Sequence, residues 1–161
     1  MFSATLRRAT APVLLAAFAA CSTPKKEDPI PVPAHAISWT VDGNTTTTNI
    51  YSAGYPIYPY DVISITTYER TATNTQMRLN VPKAVGTHTF STTDASASYA
   101  VMNANYFAGY DPTTGTVTGA GTIVVSELTA TSVTGTFTFT GIDQQTGGAK
   151  SVLSGKFFVG L

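Results

Sequence analysis

The chain has 161 residues, of which 43% are hydrophobic and only 11% charged, against about 25% charged in an average globular domain. Its 29 threonines, with Ser, Gly and Asn beside them, suit strands and turns and argue against a long helical protein. Nine basic and nine acidic side chains balance without a cationic run able to neutralise several phosphates, so nucleic acid is a poor partner. The single cysteine excludes an internal disulfide and a zinc-thiolate cluster.

The chain opens on Arg7 and Arg8, followed by the apolar run APVLLAAFAA at 11–20. That run is the length of a signal-peptide core, which is about half of what a membrane span needs. It ends in Phe18-Ala19-Ala20-Cys21, which resembles the bacterial lipobox, with Phe18 standing where leucine is usual. The resemblance implies a signal peptide over 1–20 and a lipidated Cys21 as the mature N-terminus. The alternative is an ordinary secretory signal cut at a nearby Ala-Xaa-Ala site. Removing 1–20 leaves 141 residues with seven basic and nine acidic side chains. Several acyl chains, each worth about 0.8 kcal/mol per buried methylene, would make the attachment effectively permanent.

Residues 21–35 carry Pro24, Pro29, Pro31 and Pro33 and read as an extended, semi-rigid tether. Lys26-Glu27-Asp28 resembles the Lys-then-acid export signals of Bacteroidetes surface lipoproteins, and Ser22 is not the aspartate that retains many lipoproteins in the inner membrane. An outer-membrane location follows, with either face open. A solvated charge run is the plainer reading of Lys25 to Asp28.

From residue 36 onwards the pattern alternates with a period of two. Ile37, Trp39 and Val41 share one strand face, Asp42-Gly43-Asn44 supplies a hairpin turn, and 45–51 can return as the partner strand. Further strands are predicted at 62–67, at 77–81 with Pro82 ending it, at 85–90 and at 96–102. Asp111 to Gly115 is a turn, and 122–128 is a strand. Val133, Gly135, Phe137 and Phe139 then alternate with threonines as a half-buried strand. After a turn at 144–148, Leu153, Gly155, Phe157 and Val159 form the last inward face. The chain is therefore read as all-β: a single antiparallel β-sandwich or flattened β-barrel of about eight to ten short, mostly hairpin-connected strands over 36–161.

The strings Gly121 to Leu128, Val133 to Thr140 and Leu153 to Val159 resemble an uncharacterised family of small Bacteroidetes outer-membrane lipoproteins. Its layout is a lipobox, a short tether and a β domain ending in a GTFxF strand and a GxF strand. The resemblance implies fold and anchorage, and it carries no catalytic or binding residue over.

The chemistry-bearing residues form no familiar constellation. His35 and His88 sit in no metal motif, and no metal or cofactor is expected. Ser22-Thr-Pro-Lys25 matches Ser-x-x-Lys but lies in the tether, and Gly119-Ala-Gly121 lacks the third glycine of a phosphate loop. Asp42, Asp61, Glu69, Asp94, Asp111, Glu127 and Asp143 fall mostly in or beside turns, with no spacing that singles out a catalytic pair. The most suggestive stretch holds Tyr51, Tyr55, Tyr58 and Tyr60 among prolines, with Tyr68 beyond it and Tyr106 and Tyr110 in a later predicted loop. Such rings could grip a glycan, a peptide or an envelope protein, or else plug one end of a barrel. The sequence thus points to a membrane-anchored, non-catalytic binding lipoprotein. Two alternatives stand beside it: a lipocalin-like carrier of a small apolar ligand, and a carboxylate-dependent hydrolase.

Overall fold

The computed structural model describes residues 35–55, 61–68, 74–90, 95–111 and 114–161. Cys21, the signal and tether segments, Tyr58 and Tyr60 lie outside the described residues. Among the described residues there is no helix, and twelve strands follow one another. These are β1 (Ala36–Val41), β2 (Asn44–Thr48), β3 (Tyr51–Gly54), β4 (Val62–Thr67), β5 (Gln76–Pro82) and β6 (Gly86–Thr89). They continue as β7 (Ser96–Val101), β8 (Ala104–Asp111), β9 (Thr116–Thr118), β10 (Ala120–Leu128), β11 (Ser132–Asp143) and β12 (Ala149–Gly160).

All pairings are antiparallel, in the order β2-β1-β12-β11-β8-β7-β5-β4-β3, with β10 beside β11, β6 beside β10 and β9 beside β8. The two ends of this path, β2 and β3, are consecutive in the chain, so the sheet is a nearly closed barrel. The break between them is local. The Thr48 hydroxyl accepts the Ile50 N–H at 3.1 Å, which ends β2 where the alternation had suggested one continuous strand through Tyr51. The Ile50 carbonyl then accepts the Tyr68 N–H at 3.1 Å. Across the seam the Tyr51 hydroxyl accepts the Gly160 N–H at 3.0 Å.

The interior is built from the expected alternations. Ile37 and Trp39, Met77, Leu79 and Val81, and Val133, Phe137 and Phe139 are all buried. Each such side chain contributes about 1.5–3 kcal/mol by leaving water. Within β10, β11 and β12, glycines face phenylalanines across the ladder: Gly121 opposite Phe139, Gly135 opposite Phe157 and Gly155 opposite Phe137. The Phe137 ring stacks against Phe139 and tilts against Phe157 at centroid distances of 6.5 and 6.4 Å. The C-terminal Gly-x-Phe pattern is thus a set of reciprocal pairs in which each ring lies over the bare backbone of its partner.

Leu153 departs from its predicted place. It is 55% exposed, because β12 bulges at Leu153-Ser154, where Ser154 takes a positive φ of 51°. The three-residue step from Val152 to Gly155 on β12 matches the two-residue step from Phe137 to Phe139 on β11. The extra residue flips the parity, so Val152 rather than Leu153 continues the inward face.

Candidate functional site

The described members of the aromatic set singled out in the sequence are dispersed. Tyr106 and Tyr110 lie on β8, not in a loop. Asn105 and Gly109 dilute the β pattern of that segment, while pairing with β7, β9 and the end of β11 supplies the strand. Tyr106 packs against the core, stacks on Tyr99 at 6.4 Å and lies 5.7 Å beneath the Lys150 ammonium. Tyr51 is half-buried against the core and its hydroxyl is committed to the seam. Tyr55 is 54% exposed, and the Lys83 ammonium stands 4.3 Å above its ring while pairing with Asp61 at 2.5 Å. Tyr110 is half-buried and Tyr68 exposed. His88 Nε2 is within hydrogen-bond distance, 2.9 Å, of the Ala84 carbonyl. Among the described residues no three His, Cys, Asp or Glu side chains come together.

A cleft of about 360 Å³ opens elsewhere, lined by Asn103, Asn105, Phe107, Asp111, Asp143, Gln144 and Gln145. Strand geometry brings these residues together. Along β8, Asn105, Phe107, Gly109 and Asp111 fall on one face, and Tyr106 and Ala108 on the core face. At Gly109, with φ at 145°, β8 exchanges pairing with β7 for pairing with β9. The register of β11 with β8, Ile142 opposite Phe107 and Asp143 opposite Tyr106, delivers the following turn to the same place.

Hydrogen bonds fix the polar groups. Gln144 Nε2 donates to Asp111 Oδ2 at 3.1 Å, tying the β11–β12 turn to the end of β8. Asp143, only 5% exposed, accepts the Gln145 N–H at 3.2 Å and the Thr146 hydroxyl at 2.6 Å. The turn closes with the Gly147 N–H on the Asp143 carbonyl at 2.7 Å. The adjoining Met102-Asn103 turn holds Met102 at φ 54° with its side chain 72% exposed, a conformation that favours glycine.

Asp111 and Asp143 were legible as turn carboxylates but not as neighbours. Asn103, Asn105, Phe107, Gln144 and Gln145 were not singled out for function at all. Amides carry no sequence motif, and their convergence depends on a two-residue ladder between β8 and β11. No protein-family model, no curated protein and no solved structure matches the chain.

Proposed function

We propose that the protein is a lipid-anchored envelope lipoprotein whose β domain is a non-catalytic binding module, held to the outer membrane through Cys21. The observation that carries the binding reading is the cleft beside β8, where hydrogen bonds pre-position the Gln144 carboxamide and the Asp111 and Asp143 carboxylates. The reciprocal Gly–Phe pairs fill interior positions with rings, which supports recognition at this outer cleft over carriage of an apolar ligand inside the barrel. The anchor rests on the lipobox-like run ending at Cys21 and the proline-rich tether behind it.

A second reading, a hydrolase, draws on Asp111 and Asp143 lining one cleft. Against it, both Asp143 oxygens and one Asp111 oxygen already accept structural hydrogen bonds.

Metabolic labelling with radioactive palmitate, combined with membrane fractionation, tests the anchor. Label is expected on the wild type in the membrane pellet. None is expected on Cys21→Ser, which should leave the pellet. Equal labelling and sedimentation of both would overturn the anchor.

A further inference from the structure

We infer that the cleft beside β8 recognises a neutral saccharide, one or two sugar rings of a longer glycan; this rests on the reading of the domain as a binding module and names its ligand class. None of the lining residues is cationic, so a phosphate, sulfate or carboxylate ligand would find no counter-charge. An apolar ligand would displace water from the Asn103, Asn105 and Gln145 carboxamides without replacing its hydrogen bonds, a cost that weighs against it. A calcium ion takes six to eight oxygens, whereas both Asp143 oxygens and Asp111 Oδ2 already accept hydrogen bonds from Gln145, Thr146 and Gln144.

Sugar hydroxyls both donate and accept, and so does each carboxamide, which brings two donors and an acceptor. The Phe107 ring among these groups supplies an apolar face for the C–H side of a pyranose. Size agrees: about 360 Å³ lies at the lower end of the range for small-molecule sites, roughly 300–1,000 Å³. Three of the polar groups are also ordered beforehand, Gln144 and Asp111 by their mutual bond and Asp143 by its bond to Thr146 within the turn, so binding spends little on fixing these three.

The test uses the full-length lipidated protein in detergent micelles and saturation-transfer NMR. The probes are the methyl glycosides of glucose, galactose, mannose and N-acetylglucosamine, together with maltose and cellobiose. Glucuronic acid, galactose 6-sulfate and calcium chloride alone serve as comparisons. Transfer to the ring protons of at least one neutral sugar is expected. Its affinity should weaken about tenfold, the loss of roughly one good hydrogen bond, in Asn105→Ala with thermal stability unchanged, and in Gln144→Ala, which also loses the structural bond to Asp111. Transfer to no neutral sugar, preference for the anionic sugars, or unchanged affinity in both variants would overturn the saccharide assignment. The anchor is read separately by palmitate on Cys21, and the same NMR samples assayed for cleavage of maltose and cellobiose read the non-catalytic assignment. Failure of one claim is therefore distinguishable from failure of the others.

Discussion

A methyl group added at Gly155 would lie 2.6 Å from the Phe137 ring, and one added at Gly135 would lie 2.5 Å from Phe157. Both distances are far inside van der Waals contact, and neither ring can retreat, because each is packed against the other. Gly135→Ala and Gly155→Ala should therefore each destabilise the domain by about 1–3 kcal/mol in urea unfolding, the usual cost of overpacking a filled core. Gly54 has open space where its Cβ would be, so Gly54→Ala should stay within about 0.5 kcal/mol of wild type. Equal losses at all three positions would mean that glycine serves the backbone there and not the rings. Between these residues Thr136 and Thr138 are exposed, where threonine supplies polarity without charge and keeps strand propensity.

The β1–β2 hairpin shows what a strand pair adds to that packing. Asp42 and Gly43 form its two-residue turn, both at positive φ (50° and 78°), as the right-handed twist of the strands requires. From this turn the Asp42 carboxylate reaches Lys150 on β12 at 2.6 Å, joining strands more than a hundred positions apart. That hydrogen bond, with the Asp42 charge, holds the Lys150 ammonium above its usual value of 10.5. A lysine raised on folding stabilises the native state below its unfolded pKa and loses that contribution as pH climbs through the folded value. The Lys150 side chain is 25% exposed and Asp42 67%, so screening keeps the pair small, about 0.2–1 kcal/mol. Asp42→Asn, which still tolerates the turn conformation, should be less stable by that amount at pH 8. The difference should vanish once the pH has passed the raised Lys150 value, which lies above 10.5. A gap that persists there, measured by chemical denaturation, would place the effect in the turn and not in the ion pair.

Elements of this kind were the most legible part of the sequence. The strand at 62–67, the buried trio Met77, Leu79 and Val81, and the Val133-to-Phe139 alternation fall where period two put them. Hairpin turns at 42–43 and 144–148 follow from their Asp-Gly and Gly-Gly chemistry. What period two could not reveal was anything that changes its phase or its partner. The bulge at Ser154 exposes Leu153, the Thr48 hydroxyl splits one apparent strand in two, and β8 keeps its shape by pairing with β7, β9 and β11 in turn.

The chain joins a lipobox-like run and a proline-rich stretch to a ring-packed barrel that carries a polar cleft. Sequence pattern favoured the tyrosines as the binding residues, since an aromatic run among prolines is conspicuous. Folding separates them: Tyr51 closes the seam, Tyr106 joins the core, and Tyr55 lies beneath Lys83. The amides that line the cleft come from two turns and one strand, and only the register between β8 and β11 unites them. Site chemistry here depends on tertiary pairing, which is why it was the least legible part of the chain.

Chemical-shift mapping of backbone amides during titration with the best-binding neutral sugar compares these two surfaces in one experiment on the intact protein. Perturbations should cluster at residues 103–111 and 143–146, with Tyr55, Tyr68 and Lys83 unmoved. Shifts centred on Tyr55, Tyr68 and Lys83, with the amides around Asn105 and Gln144 silent, would contradict the cleft and return the binding surface to the tyrosines.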